Sequence, residues 1–416
     1  MALEIAIEEL GTDGGKVAYV TLPANRNAVI DAMDSKKIFA ETSLLIVECD
    51  EVPELAGHEF KEEPTLDELN FLAKRLDEFS EDKEDFTSLI AYRALLKKPF
   101  DTIREAINRT YNLQTIPVYP CKNMYAYGEI VLENEMLEGL EDIPDELYDL
   151  LDPDKVGRTM MEREGGVFIG GYYAVPSSYE PALVYDEELP ERMEDWIFRL
   201  EITGKFTDNK DDYEILTLPA DEEDMQRIAE RFGEKYIGEC VCVGFKSAIP
   251  QISDVCFESM ENIYAVNDIA RRYSELSRED AAKFKAVLEH ELWRGWDKIN
   301  AILNDLDCYE FDGAIKHISE FGEKYLSEML KRQLCCAASL PRFCAVALQH
   351  RVAPPDFDRS LLKGACTAEF AEKIIAANEC AFTEYGVISK CGGHLYSMVE
   401  APEQEQTSDF EMGGIS

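Results

Sequence analysis

Carboxylates are the side chains of this sequence that are most able to do chemistry. Between residues 129 and 154 there are eleven acids and no Lys, Arg or His. These acids are Glu129, Glu133, Glu135, Glu138, Glu141, Asp142, Asp145, Glu146, Asp149, Asp152 and Asp154. Ionised carboxylates accept charge-assisted hydrogen bonds from Arg and Lys, as phosphate oxygens do. The run therefore predicts recognition of a basic surface, with an ordinary solvated face as the simpler alternative.

Apolar residues are interleaved with these acids. They are Leu132, Met136, Leu140, Leu147 and Leu150. A segment with an apolar side folds against a core. We therefore expect the carboxylates to be held at fixed positions on a surface.

The sequence lacks motifs that build a catalytic or cofactor site. No Gly-Lys-Ser/Thr follows Gly165-Gly166 or Gly170-Gly171, and neither GxGxxG nor GxSxG occurs. These glycines favour a pair of strands with close backbone approach. Asp152-Pro153-Asp154 imitates a calcium loop, but Val156 and Arg163 stand where ligands are needed. We expect no catalytic residue, no metal and no cofactor.

The twelve cysteines are unevenly distributed. Cys49 and Cys121 are the only two before residue 200, and CxxC does not occur. This pattern is unlike a disulfide framework repeated with the domains. We predict mostly reduced, buried cysteines. A zinc site assembled from distant cysteines and His317, His350 or His394 is the alternative.

The whole chain is strongly acidic. Its 416 residues include 84 Asp and Glu against 42 Lys and Arg, a net charge of −42. Such a field repels nucleic acid and anionic membranes, so we predict binding to neither. A proteome adapted to high salt is another explanation of the charge. The N-terminus lacks a basic segment and no run of 18 apolar residues occurs, which predicts a soluble cytoplasmic protein.

The elements that must position the acids occur twice. LNFLAKRLDEFSED, Leu69–Asp82, returns as VNDIARRYSELSRED, Val266–Asp280, so that Asn70 matches Asn267. Leu22-Pro23 matches Leu218-Pro219 at a similar spacing. Solenoid repeats are about 20–50 residues long, far shorter than this period. The ordered matches predict a duplicated set of domains.

Each copy has the same predicted elements. Apolar and polar residues alternate in LEIAIEEL and KVAYVTLP of the first copy and in WIFRLEIT and YEILTLP of the second, as they do in paired strands. A helix and a third strand follow, and then helices, with Ser80 and Ser277 as predicted N-caps. The predicted fold class is α+β, an elongated chain of small modules duplicated in tandem. The modules are a three-stranded sheet plus helix, a helical module and a strand/helix module.

Domain boundaries follow from these matches. The first copy is predicted at 1–190, with a sheet module at 1–60, a helical module at 61–127 and the acidic third module at 128–190. The second is predicted at 191–400, with corresponding modules at 191–255, 256–335 and 336–400, the last divergent. Residues 401–416 are predicted to be a disordered tail.

The order of these motifs resembles that of the ArdA antirestriction family. The segments that carry the resemblance are TLP after the opening strands, LNFLAKRL, INRTYNL (Ile107–Leu113), DLDCYEF (Asp305–Phe311) and LLDPDKVGRTM (Leu150–Met160). The resemblance covers most of the first copy. It weakens in the second, where RVAPPDFDRSLLKGAC is a loose counterpart of Asp152–Arg158. The motifs are individually unspecific, and their repeated order is the stronger signal.

The resemblance implies an elongated DNA mimic that plasmids, transposons and phages use to inhibit type I restriction-modification enzymes of the bacterial host. The eleven acids would then form its DNA-mimic surface. Family members are about half this length and pair as dimers, so this chain is expected to form a homodimer or a pseudo-dimer within one chain. At one charge per about 1.7 Å of B-DNA axis, the net charge would cover on the order of 70 Å.

Two other functions stay open. The mimic could inhibit another DNA-handling machine, such as a CRISPR effector or a different nuclease. In the enzyme class, the acids could bind metal in a hydrolase, although no His/Asp motif supports this. Metal-dependent activity that one carboxylate substitution abolishes would favour the enzyme, whereas graded losses would favour the mimic.

Overall fold

The computed structural model describes most of the chain up to residue 331 and short pieces beyond it. Described are 3–11, 15–39, 41–81, 86–140, 143–148, 150–186, 188–206, 212–252, 257, 259–291, 295–315, 317–331, 368, 371–372, 375–376 and 380–390. The chain divides into two compact units, unit 1 (Met1–Trp196) and unit 2 (Ile197–Ser416). Most of the predicted module at 336–400, and all of the predicted tail, lie outside the described residues.

Small sheets alternate with helices in both units. Unit 1 contains β1 Leu3–Glu9, β2 Val17–Leu22, α1 Arg26–Ser35, β3 Thr42–Cys49, α2 Leu66–Glu81, α3 Phe86–Leu96, α4 Ile103–Asn108, β4 Val118–Tyr119, α5 Met124–Glu133, α6 Asp145–Tyr148, α7 Pro153–Glu164, β5 Val167–Ile169 and β6 Tyr172–Ala174. Unit 2 contains β7 Phe198–Thr203, β8 Glu214–Leu218, α8 Glu222–Arg231, β9 Val241–Ser247, α9 Ile263–Ser274, α10 Arg278–His290, α11 Trp296–Asn304, β10 Tyr309–Asp312, α12 Ile318–Lys331, β11 Cys380–Phe382 and β12 Val387–Lys390. The predicted α+β class is confirmed.

Each unit opens with an antiparallel three-stranded sheet. The strand order is β2-β1-β3 in unit 1 and β8-β7-β9 in unit 2. Alternate residues of the middle strand, Leu3, Ile5 and Ile7 in β1 and Phe198 and Leu200 in β7, are buried in the core of their own unit. Since successive side chains of a strand point to opposite faces, the intervening residues lie on an outer face. The alternating sequence is therefore sufficient to place the core on one side of each sheet.

A capping box starts helix α2. The Glu68 amide donates to Thr65 Oγ1 at 3.2 Å, and the Thr65 amide donates to Glu68 Oε2 at 2.8 Å. These two bonds satisfy backbone donors that a helix start leaves unpaired. The other Glu68 oxygen accepts from the Tyr185 hydroxyl at 2.8 Å, so the cap also ties α2 to the end of unit 1.

The two serines predicted as N-caps differ. Ser277 caps α10, and its hydroxyl accepts from the Asp280 amide at 3.1 Å, as predicted. The prediction for Ser80 is wrong, because α2 continues through it to Glu81. Phe79 is buried and extends the apolar face of α2, which carries the helix past the serine.

Each unit also contains a second three-stranded sheet, with order β4-β6-β5 in unit 1 and β10-β12-β11 in unit 2. Gly170 and Gly171, at φ 57° and 90°, form the turn between β5 and β6. Two residues with positive φ are what a tight type I′ hairpin turn requires. The predicted glycine-rich strand pair is confirmed. Strand β4 falls in the predicted helical module at 61–127 but pairs with the strands of the acidic third module.

A buried asparagine plays the same part in both units. The Ala24 amide donates to Asn70 Oδ1 at 2.7 Å, and the Ala220 amide donates to Asn267 Oδ1 at 2.8 Å. Asn267 also donates its side-chain amide to the Ala220 carbonyl at 2.9 Å. Asn70 lies on α2 and Asn267 lies on α9. Each asparagine therefore joins its helix to the backbone that directly follows the Leu-Pro pair of the same unit.

We expect Asn267→Ala to destabilise unit 2 by about 1–3 kcal/mol, because both backbone groups of Ala220 would lose their buried partner. The measurement is chemical denaturation of the full chain. Asn262→Ala is the matched control, since Asn262 is exposed and makes no side-chain capping bond, and it should change stability by less than about 0.5 kcal/mol. Equal losses in the two variants would contradict the role given to Asn267.

Candidate acidic interaction surface

Helix α5, which carries the first acids of the run, is packed backbone to backbone against α7. A Cβ on Gly128 of α5 would overlap the Pro153 carbonyl oxygen, and a Cβ on Gly157 of α7 would overlap the Met124 carbonyl oxygen. Only glycine leaves room for so close an approach. The position of α5 is therefore set by main-chain contact.

Helix α7 begins at the Asp-Pro-Asp motif. Asp152 is its N-cap and accepts from the Asp154 amide at 3.1 Å, and Pro153 takes the first helical position. The helix ends at Gly165, whose φ of 68° is typical of a C-terminal cap. The motif that imitates a calcium loop is thus a helix start.

A small aromatic core lies beneath these helices. Tyr127 of α5 and Tyr173 of β6 are fully buried, with ring centroids 4.0 Å apart, and Cys121, Val131, Val156 and Val175 complete the cluster of buried residues. Because α5 and β6 both contribute, the helix is anchored on the sheet as well as on α7. The acids of α5 are consequently carried by a fixed scaffold.

Four predicted surface acids are exposed. Glu129 and Glu133 lie on α5, and Glu135 and Glu138 follow it. Among the described residues, none of the four has a basic partner within ion-pair distance. Four residues of helix rise about 6 Å, so Glu129 and Glu133 give roughly half the linear charge density of one DNA strand. The two later acids follow directly after the end of the helix in the sequence.

Two other predicted acids have basic neighbours. Asp154 accepts from Arg158 Nε at 2.7 Å, and Lys155 Nζ lies 3.7 Å from Asp152. Asp152 is exposed and Asp154 is half-buried. Their carboxylates are therefore partly neutralised and act in the structure of α7.

The remaining predicted acids are less completely described. Asp145 and Glu146 lie in α6, but their side chains are outside the described part of the chain. Glu141, Asp142 and Asp149 lie outside the described residues altogether. The structure thus supports a surface made of Glu129, Glu133, Glu135 and Glu138.

Sequence reasoning missed one acid of this module, Glu164 at the end of α7. The Tyr127 hydroxyl donates to Glu164 Oε1 at 2.5 Å. Burial raises the pKa of Glu164 above its ordinary value, and the bond from Tyr127 opposes that rise. Only the fold brings Tyr127 and Glu164 together, so no local motif could have identified the pair.

A cleft of about 130 Å³ lies in unit 2, lined by His290, Glu291, Tyr309, Ile388, Ser389 and Lys390. Glu291 accepts from the Tyr309 hydroxyl at 3.0 Å and lies 3.4 Å from Lys390 Nζ. Burial alone would raise the pKa of Glu291, but Tyr309 and Lys390 bring it below its ordinary value. The cleft therefore holds an ionised, already paired carboxylate.

Metal-ligating side chains do not cluster in the part of the chain that the structure describes. Within it, no group of three His, Cys, Asp or Glu side chains could hold a metal ion. Cys49, Cys121, Cys240 and Cys380 are free and buried, as predicted for most cysteines. Burial raises the pKa of the Cys240 thiol to about 11, which disfavours the thiolate. Two histidines of the zinc alternative, His350 and His394, are not among the described residues.

No described helix is long and apolar enough to cross a membrane.

Comparison of the chain with protein-family models, with curated proteins and with solved structures found no significant match. The resemblance to the ArdA family therefore stays a prediction from the residues.

Replacing Gly128 with Ala is expected to destabilise unit 1 by about 1–3 kcal/mol or more, because the added methyl group meets the Pro153 carbonyl. The helix propensity of Ala opposes this by only about 1 kcal/mol. Differential scanning calorimetry of the full chain measures the change. Glu162→Ala, an exposed substitution on α7, is the control and should stay within about 0.5 kcal/mol. A stabilised Gly128→Ala variant would rule out the close backbone contact.

The raised pKa of Glu164 predicts a pH dependence of stability. The folded protein holds the proton more tightly than the unfolded chain, so this stabilisation is complete below the ordinary pKa of 4.5 and declines as pH rises through the folded value. Glu164→Gln keeps an acceptor for Tyr127 and removes the charge. We expect the variant to gain stability relative to the native chain between pH 4 and pH 7.

Thermal melts at several pH values test this expectation. Glu162→Gln on the same helix is the control, because Glu162 is exposed. An identical pH profile for Glu164→Gln and the native chain would show that Glu164 is ionised equally in both states.

Proposed function

We propose that the protein is a stoichiometric DNA-mimic inhibitor that occupies the DNA-binding groove of a host defence enzyme, a type I restriction-modification complex. The observation that carries the proposal is the set of exposed carboxylates without a basic partner at Glu129, Glu133, Glu135 and Glu138, on and directly after a closely packed helix. In this role the protein acts in the cytoplasm of a bacterium that carries a mobile element or phage.

The physical basis is the similarity of carboxylate and phosphate as acceptors. A DNA-binding groove presents Arg and Lys at positions that match phosphate spacing, and these side chains form charge-assisted bonds to carboxylates. The net charge of −42 adds long-range attraction to such a groove and accelerates association. The function needs no catalytic residue.

Rigidity is what distinguishes this surface from a loose acidic segment. Fixing flexible side chains and backbone on binding costs free energy, so pre-positioned charges bind more tightly than mobile ones. The contact of α5 with α7 and the buried tyrosines provide that positioning. The close backbone contact is therefore part of the proposed function.

Neutralising the four carboxylates is expected to weaken inhibition in a graded way. An exposed ion pair contributes roughly 0–1 kcal/mol, so single Glu→Gln changes should alter the inhibition constant less than about fivefold. The quadruple variant at 129, 133, 135 and 138 should lose up to about 4 kcal/mol if the sites add. The measurement is titration of duplex cleavage by a purified type I restriction enzyme, with added duplex DNA as competitor.

A matched quadruple variant controls for total charge. It carries Glu→Gln at Glu59, Glu62, Glu180 and Glu188, which are exposed acids of unit 1 away from α5. Equal losses in both quadruples would show that only net charge matters. Loss of inhibition by one single substitution would indicate a discrete site, and inhibition that does not fall with salt would indicate an apolar interface. Inhibition of a CRISPR effector alone would change the target.

A further inference from the structure

The outer faces of the two opening sheets carry exposed apolar side chains beside their charged ones. In unit 1, Tyr19 is 59 % exposed and Leu45 is 40 % exposed on strands that flank β1. In unit 2, Ile215 is 43 % exposed and Val241 is 41 % exposed on strands that flank β7. Tyr19 and Leu45 are the two cross-strand partners of Ala6, so the outer face of unit 1 is apolar across all three strands at this level. Contiguous exposed apolar surface is typical of interaction sites.

Both faces also contain a β-bulge occupied by an exposed valine. The pairing of β1 with β3 shifts at Val47, and the pairing of β7 with β9 shifts at Val243. These valines are 40 % and 44 % exposed. A bulge leaves one residue unpaired and re-aims its side chain, so each valine stands out from its sheet.

One pair of charged residues in each face has the opposite sign to the corresponding pair in the other face. Glu4 on β1 is paired in register with Glu48 on β3, directly before the bulge. Arg199 on β7 is paired in register with Lys246 on β9 at the corresponding place in the second sheet. In both pairs the residue on the middle strand is half-buried and the residue on the edge strand is exposed.

Each of these pairs is unfavourable within its own sheet. Like charges directly opposite one another on neighbouring strands are destabilising. Among the described residues, neither the Glu4–Glu48 pair nor the Arg199–Lys246 pair has an opposite charge within ion-pair distance. An opposite charge brought to either pair would relieve the repulsion.

We propose that the outer sheet face of unit 1 in one copy of the chain docks on the outer sheet face of unit 2 in a second copy. Glu4 and Glu48 would then face Arg199 and Lys246, and the bulge valines and flanking apolar residues would be buried between the sheets. Unlike faces must pair, because two unit 1 faces would oppose glutamate to glutamate. In a chain of net charge −42, this pairing avoids the repulsion that most other contacts between copies would meet.

Two further acids limit the charge complementarity of the two sheet faces to one end of each face. Glu8 lies at the other end of β1 from Glu4, where it is paired with Val17 and Ser43. The Glu201 carboxylate lies over Gly244 beside the basic pair of unit 2. The attractive contact is therefore confined to the Glu4 end of one face and the Arg199 end of the other.

The test uses charge reversal in the full-length chain. One variant carries Glu4→Lys and Glu48→Lys, which makes both faces basic, and the other carries Arg199→Glu and Lys246→Glu, which makes both faces acidic. Sedimentation velocity at low salt should show the native chain associating with increasing concentration. Each variant alone should associate at least about tenfold more weakly and sediment near the chain mass of 47.2 kDa.

Mixing the two variants is the decisive measurement. The basic unit 1 face of the first variant is complementary to the acidic unit 2 face of the second, and their two unchanged faces are also complementary to each other. The equimolar mixture should regain association, which also shows that both variants are folded. A chain with Glu180→Lys and Glu188→Lys, which are exposed acids of unit 1 outside its strands, is the control for charge and should associate at least as well as the native chain. A native chain that is monomeric at every concentration, or a mixture that does not regain association, would overturn the proposal.

Discussion

Electrostatic imbalance is the constraint on which the rest of this structure depends. With 84 acids and 42 bases, half of the acids lack a basic partner even if every base is paired. The described bases often hold structural positions, as when Arg93 and Lys97 each lie 3.0 Å from Glu54. Burial alone would raise the pKa of Glu54, but these two bonds bring it below its ordinary value. Other acids, such as Glu129 and Glu133, face solvent, where water and salt reduce their repulsion.

Repulsion among surface acids has to be opposed by well-packed cores beneath them. In the acidic module of unit 1, glycines and tyrosines together produce such a core. Gly128 and Gly157 let α5 and α7 approach through their backbones, while Tyr127 and Tyr173 fill the space below. Dense packing of this kind keeps like charges at fixed positions, which a flexible segment would let spread apart.

The opening sheets of the two units are more alike in their frame than in their surfaces. Strand order, the Asn70 and Asn267 contacts and the bulge valines are shared by the two units. The matching outward position is Glu4 in one sheet and Arg199 in the other, and either charge is compatible with the same sheet because this position does not contact the core. The same sheet architecture can thus present two different surfaces.

The sequence by itself determined the α+β class, the strands of the opening sheets, the glycine turn at Gly170-Gly171 and the cap at Ser277. These features depend on local periodicity and on residues that satisfy nearby backbone groups, so a local sequence pattern is sufficient to predict them. The acidic run was also evident, although which of its acids are exposed and unpaired was not. Only the tertiary structure decided that Asp154 is paired with Arg158, that Glu164 meets Tyr127 and that β4 joins the final sheet of unit 1. The Ser80 prediction failed for the same reason, because burial of Phe79 by distant residues outweighed the local capping preference of serine. Such contacts depend on packing between segments far apart in sequence, which no local pattern specifies.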